Sequence, residues 1–251
     1  MHTVALYNIK GGVGKTAAAV NLAYLAARDH IPTLLCDLDP QGSATYYFRI
    51  KPSKKFNAKK LVKGGKSLEK NIKGTDFEDL DLLPADLSFR SLDLLLNDMK
   101  HSKKQLRKVL EPLEEEYDLI ILDCPPNITL ESENVFRAAD NVLVPFIPTS
   151  LSVVGYNKLL EFFKKREMDD SHIFAFFSMV EGRKKMHKEL IDKMSREDSH
   201  FINVQIPYTA DVEKMGLYRE PVIATKPRSK AALAFEELWR TTKSRLLNNA
   251  A

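Results

Sequence analysis

Cysteine is scarce in this 251-residue chain, which carries only Cys36 and Cys124. Two cysteines cannot build a disulfide scaffold or a four-thiolate zinc site. Each sits in an apolar run, so both are expected as small core residues in a reducing compartment. A net charge of one sign is also lacking. The 38 Lys and Arg stand against 34 Asp and Glu, a formal +4 that does not mark the whole chain as a nucleic-acid binder. Long hydrophobic runs are missing too. The longest stretch without charge, 141–157, holds Pro145, Pro148 and several hydroxyls, and reads as a strand entering a loop rather than a membrane span. The first residues carry no positive region and no cleavage pattern, so no signal peptide is expected and the reading is cytoplasmic. No segment rich in Pro, Gly or Ser interrupts the chain, and no internal repeat is visible. One domain over 1–251 is the expected count. With 44% apolar and 29% charged residues the composition is that of a globular protein, which excludes disorder, collagen and coiled coil.

What is present is alternation. Thr3–Ile9 reads as a buried strand and Lys15–Arg28 as a helix with Val20, Tyr24 and Ala27 on one side. Thr33–Asp37, Asp81–Leu83, Asp118–Leu122, Asn141–Phe146 and Ile173–Met179 read as further strands, most of them after helix-like segments. Phe235, Leu238, Trp239 and Thr242 recur at the spacing of one helix face. Apolar strands separated by helices predict an α/β fold, a doubly wound, mostly parallel sheet with helices on both faces. Residues 51–73 break the rhythm with nine lysines against the single acid Glu69, a local formal charge of +8. The plain reading of this stretch is a solvated, mobile insertion between helix and strand.

Between the first strand and the first helix lie Lys10, Gly11, Gly12, Val13, Gly14, Lys15 and Thr16. Glycines allow backbone N–H groups to close around phosphate oxygens, and the helix N-terminus favours negative charge. In such a loop Lys15 reaches the β- and γ-phosphates and the Thr16 hydroxyl ligates Mg²⁺. The strict P-loop needs glycine at position 9, where this chain has Ile9, so the match is to a variant with an extra lysine, Lys10, at its front. A second cluster, Asp37 and Asp39, follows the second strand; alternation predicts both acids on one face, toward the C-terminal edge of the sheet. A third element is the apolar run ending in Asp123, the place of a Walker B aspartate.

The segments KGGVGKT at 10–16, DLDPQGSAT at 37–45 and LIILDCPPN at 119–127 resemble the ParA/MinD group of deviant-Walker ATPases, nearer its ParA side. Leu83 to Ala85, Met179 to Arg183, Ile206 with Pro207, and Pro221 with Val222 fall where that family has similar segments. The resemblance spans essentially the whole chain. It implies a P-loop NTPase with ATP and Mg²⁺ as cofactors, and an ATP-dependent homodimer in which Lys10 reaches the partner's nucleotide. It also implies sequence-indifferent DNA binding, and slow hydrolysis stimulated by a ParB-like or cargo-adaptor protein. The cargo would be a plasmid, a chromosome or a protein organelle, with the ATP form on the nucleoid. On this likeness the loop from Lys10 to Ala17 binds nucleotide, Asp39 orients the attacking water, Asp37 sits near the metal and Asp123 supports it through water. Pro207 and Tyr208 would lie near the adenine. None of the motif residues is a strong base, which fits slow turnover by positioning and charge neutralisation.

Two departures stand out. Ala17 replaces a second threonine usual in the family, and the stretch from Tyr208 to Lys214 lacks the Arg-Asn-rich character of many chromosome-segregating relatives. For DNA, Arg183, Lys184, Lys185, Lys188 and Lys193 on one expected helix, with Arg219, Lys226, Arg228 and Lys230 before the last, are the candidate phosphate contacts. No zinc finger, RNA-recognition or basic-zipper signature is present. A MinD-like membrane-cycling regulator is the alternative. It needs an amphipathic basic tail, whereas Ser244–Ala251 offers one short apolar pair, so no membrane contact is expected. An iron–sulfur electron donor would need a thiolate-bound cluster, and both cysteines flank the aspartates instead. The chain opens at its first strand, so operator-specific autorepression through an N-terminal winged helix is not expected.

Overall fold

Runs rich in Leu, Ile and Val form the strands, and alanine-rich or amphipathic stretches form the helices between them. The computed structural model describes residues 1–99 and 102–247. The strands are β1 (His2–Leu6), β2 (Thr33–Asp37), β3 (Lys73–Gly74), β4 (Leu80–Leu83), β5 (Leu119–Asp123), β6 (Asn141–Phe146), β7 (Ile173–Val180) and β8 (Phe201–Pro207). They make one sheet in the order β3-β4-β2-β5-β1-β6-β7-β8, parallel throughout except for the antiparallel pair β3–β4. The helices of the first half are α1 (Lys15–Arg28), α2 (Ser43–Tyr47), α3 (Ala58–Lys63), α4 (Lys66–Glu69), α5 (Leu92–Asn97) and α6 (Gln105–Leu110). Those of the second half are α7 (Leu130–Ala138), α8 (Ser150–Lys165), α9 (Lys185–Glu197), α10 (Ala210–Glu213), α11 (Met215–Tyr218), α12 (Val222–Thr225) and α13 (Lys230–Leu247).

Every residue of β2, β5 and β6 is buried, as strands covered on both faces must be. One face carries Val4, Leu6, Leu35 and Ile121 against α1 and α13, where Phe235, Leu238 and Trp239 are buried as their spacing predicts. The small side chains Ala18, Ala19, Ala23 and Ala26 are all buried in α1 and let it lie close on the sheet. The opposite face carries Tyr7, Cys36, Ile120 and Leu122 against α7, α8 and α9, and both cysteines are buried there.

Several boundaries move. Thr3–Ile9 ends as a strand at Leu6, and its last residues lead into the glycine loop. The expected Asp118–Leu122 shifts by one, which brings Asp123 into the ladder opposite Leu6 and Asp37. The charge-free stretch 141–157 runs from β6 through a three-residue link into helix α8, and no described helix is long and apolar enough to cross a membrane. The edge strand β8 was not expected: Asn203 and Gln205 alternate with buried Ile202, Val204 and Ile206 because one side of an edge strand faces solvent.

The lysine-rich stretch is not a loose insertion. Phe56, Ala58, Leu61 and Leu68 are buried in the core, Asn57 caps α3 by accepting the Lys60 N–H at 3.1 Å, and Gln105 Nε2 donates to the Val62 carbonyl at 2.6 Å. Four widely spaced apolar side chains suffice to fix a segment whose composition is dominated by lysine.

Candidate functional site

The glycine loop sits at the C-terminal ends of the central strands, where open parallel sheets place their ligands. Gly12 and Gly14 have φ of +69° and +93°, a conformation open to glycine. A Cβ on Gly14 would also stand 2.9 Å from Ser178 Oγ. Ser178 donates to the Val13 carbonyl at 2.8 Å, so β7 braces the loop from below. Asn8 braces its entry: Nδ2 donates to the Pro145 carbonyl and Oδ1 accepts the Lys10 N–H, both at 2.9 Å.

Lys15 opens α1, is buried, and donates from Nζ to the Lys10 carbonyl at 3.1 Å. Burial lowers the affinity of its amine for the proton, against the pull of Asp123 and Asp39. Folded back onto its own loop, the ammonium occupies a position from which it can exchange one carbonyl for phosphate oxygens. Thr16 is half-buried beside it. Lys10 is half-buried and lies over α8, with its Cε 3.6 Å from where a Cβ on Gly155 would be.

Asp37 and Asp123 are fully buried and paired in register on neighbouring strands. Thr45 clamps Asp37, its N–H and its hydroxyl each donating to Oδ2 at 2.7 Å, while the Ala85 N–H donates to Thr45 Oγ1 at 2.9 Å. Asp37 Oδ1 and both oxygens of Asp123 have no hydrogen-bond partner. Burial pushes the Asp37 carboxyl up to about 6, the Thr45 bonds opposing and Asp39 adding to the rise. Burial and the charge of Asp37 raise Asp123 well above the usual carboxylate range, with Thr16 and Lys15 opposing. Orphaned carboxylate oxygens beside a threonine and a phosphate-binding loop fit a divalent cation. Among the described residues no three His, Cys, Asp or Glu side chains converge as a preformed metal cage. Such a donor set fits Mg²⁺, which binds through one or two protein groups and completes its shell with water and phosphate.

Asp39 lies two residues past Asp37, just beyond the end of β2, and its charge is felt by Asp37, Lys15 and Asp123. The strand ends at Asp37; the Leu38 N–H still reaches the Asp123 carbonyl at 3.0 Å, and then the chain turns, with the Gly42 N–H on the Asp39 carbonyl at 2.8 Å. Asp39 is left half-buried, its Oδ1 accepting the Gln41 N–H at 2.9 Å. Asn8, Ser178 and Thr45 were not foreseen as functional. Thr45 alone left a signal, as the last residue of the motif segment 37–45.

Pro207 and Tyr208 line a cavity of about 100 Å³ together with Gly14, Ala17, Phe176 and Ser178. Its walls are chiefly apolar and it adjoins α1, a shape suited to a planar base. Tyr208 donates its hydroxyl to Glu213 at 2.7 Å across the rim.

The basic residues divide. Arg183, Lys184, Lys185, Lys188 and Lys193 are exposed on α9 and the turn before it; Lys185 and Lys193 pair with Glu189 and Glu197 at 3.5 and 3.8 Å. Lys226 and Arg228 are exposed before α13 and Lys230 is exposed at its first residue, on the other side of the edge strand β8. Arg219 is engaged elsewhere: its guanidinium stacks 4.4 Å from the Tyr46 ring and donates to the Tyr46 carbonyl at 2.9 Å. Of the C-terminal tail 244–251, residues 248–251 lie outside the described residues.

Residues 1–173 match a family model described as AAA domain. A virulence plasmid ParA family protein of Chlamydia psittaci is 26% identical over 254 residues, covering 99% of this chain and 97% of its own length. The sporulation initiation inhibitor protein Soj of Bacillus subtilis is 29% identical over 242 residues, covering 94% of this chain and 95% of its own. Among solved structures, an ATP complex of a McdA variant from Cyanothece has a TM-score of 0.86 at 20% identity, over 97% of this chain and 96% of that one. Cobyrinic acid a,c-diamide synthase from Mycobacterium smegmatis, with bound ATP analogue and magnesium, has a TM-score of 0.81 at 22% identity, over 97% and 95%. At these identities the structural likeness carries the fold.

Proposed function

The chain belongs to the AAA-domain family, as a ParA-type P-loop ATPase of the partitioning and positioning group, and from that premise we propose that it hydrolyses ATP to ADP and phosphate in a dimerisation cycle that positions a cargo on DNA. The observation that carries the reading is the pair of buried aspartates, Asp37 and Asp123, held in register with unpartnered oxygens beside Lys15 and Thr16.

Lys15 and the N–H groups of Gly11 to Thr16 bind the phosphates, and the Thr16 hydroxyl with Asp37 and Asp123 holds Mg²⁺. An ion held there would supply positive charge against the transferring phosphoryl group. Asp39, half-buried at the mouth of the site, orients the attacking water. Lys10 leaves Gly155 to meet the nucleotide of a second copy, and Pro207 and Tyr208 border the adenine. With no strong base among these groups, turnover stays slow until a ParB-like or cargo-adaptor protein stimulates it. The ATP dimer binds DNA without sequence preference through Arg183, Lys184, Lys185, Lys188, Lys193, Lys226, Arg228 and Lys230, and so resides on the nucleoid. Arg219 belongs to the same candidate set, with its guanidinium stacked on Tyr46.

The test is phosphate release and light scattering with ATP and Mg²⁺. Lys15→Ala should abolish nucleotide binding, Lys10→Ala should bind ATP yet remain monomeric, and Asp39→Ala should accumulate an ATP dimer. A normal ATP dimer of Lys10→Ala, or full turnover by Asp39→Ala, overturns the corresponding role.

A further inference from the structure

The layer formed by α3, α4 and α6 holds the largest charge concentration that the nucleotide site leaves unused. Its apolar anchors face inward, and Gly64, at φ +66°, brings the end of α3 so close to α6 that a Cβ there would meet Val109 Cγ2 at 3.3 Å. Lysine dominates the outer surface. Lys54, Lys55, Lys59, Lys63, Lys66 and Lys70 are exposed, and Lys59 and Lys63 stand one turn apart on α3. Lys104 and Lys108 continue the same surface at α6. Among the described residues no lysine between 51 and 73 pairs with a carboxylate, whereas Lys185 and Lys193 on α9 do.

We propose that this lysine layer, beside β3 and β4 at the end of the sheet remote from β8, is a binding face for the phosphate backbone of duplex DNA. The inference rests on the DNA-binding reading above and places the stronger contact on a surface that reading does not use. Three observations select the ligand. The stretch 51–73 contains nine lysines and no arginine, so it offers point charges for phosphates without the planar fork that reads guanine edges. Phe56, Leu61 and Leu68 are buried and Val62 and Ile72 pack against the same core, which leaves no exposed large apolar side chain to insert into a lipid interface. And a layer in which nine lysines face the single carboxylate of Glu69 raises the local potential, which a polyanion relieves by releasing its counterions.

The test uses the full chain with a non-hydrolysable ATP analogue and Mg²⁺. Binding to a random-sequence duplex is followed by fluorescence anisotropy across a salt series. The triple variant Lys59→Gln, Lys63→Gln, Lys66→Gln should lose tenfold or more in affinity near 0.1 M salt, and the slope of log affinity against log salt should fall by about 2 to 3. Its thermal midpoint and basal hydrolysis should match the parent, since none of the three touches the core or the phosphate site. A parent-like slope in the triple variant, while Lys226→Gln with Arg228→Gln loses binding, overturns the lysine layer and leaves DNA binding intact. A parent chain that binds no duplex at any salt overturns both. Preferential capture of phosphatidylserine vesicles or of a poly-glutamate peptide over duplex, lost in the triple variant, assigns the layer to another polyanion and also overturns the proposal.

Discussion

Two concentrations of like charge lie in the same half of this sheet, and the fold treats them in opposite ways. Asp37 and Asp123 are removed from water on β2 and β5 with three unpartnered oxygens between them. Beside β4, no lysine of 51–73 has a carboxylate partner among the described residues either, but most of them stand in solvent. The Coulomb law is the same in both places; the dielectric is not, and each buried acid shifts toward its neutral form while the lysines remain screened. Unpartnered charge therefore means something different at the two sites. The buried pair stores destabilisation that a cation can relieve, and the exposed layer stores a potential that a polyanion can use.

The sharpest way to break this contrast is Asp123→Asn. Turnover should fall by roughly 100-fold or more through loss of metal support, yet the nucleotide-free chain should melt several degrees higher, at about 2–4 °C per kcal/mol for a chain of this size. A lower melting point in calorimetry would show that the buried pair is already compensated in the apo fold.

Glu131, in the first turn of α7, extends the comparison to a buried acid outside the phosphate site. Its Oε1 is unpartnered, and burial with the nearby Asp93 pushes its carboxyl up to about 8. The folded chain thus holds this proton more tightly than the unfolded one. Stability should fall as pH rises from the ordinary carboxylate range toward 8, by up to about 1.4 kcal/mol per pH unit for this group. Glu131→Gln should flatten that part of the profile in urea titrations; an unchanged slope would place the dependence elsewhere.

Gly155→Val acts at the close approach of α8 to Ile9 and Lys10, where a Cβ would lie 3.3 Å from Ile9 Cδ1. Displacing Lys10 should weaken ATP-dependent dimerisation several-fold with little change in monomer nucleotide affinity, a difference that light scattering and nucleotide fluorescence separate.

The smallest effect is expected on α9. Lys185→Gln with Lys193→Gln removes two lysines already paired with glutamates, so the salt slope for duplex should change by less than about 1, and stability by less than about 0.5 kcal/mol for each pair. An effect as large as that of the α3–α4 triple variant would erase the distinction between paired and unpaired lysines.

Much of this was legible in the chain. The buried strands β2 and β6 and helix α1 follow their apolar runs residue for residue, because a strand covered on both faces leaves a continuous signal. Strand β8 left only an alternating one, diluted by Asn203 and Gln205, and the anchors Phe56, Leu61 and Leu68 are too irregularly spaced to reveal that a lysine-rich stretch is packed. Asp39 lies past the end of β2, in the turn, where strand alternation no longer fixes the direction of a side chain.

What the sequence by itself determined is the local chemistry: a glycine loop ahead of a helix, a lysine and a hydroxyl at its start, acids where apolar strands stop. Backbone conformation and hydrogen bonding within a few residues dictate these features. Only the tertiary structure decided which acids become neighbours, that Thr45 holds one oxygen of Asp37 and leaves the other bare, and that nine lysines form an ordered face. Those outcomes depend on register and burial, and both arise from contacts between segments distant in the chain.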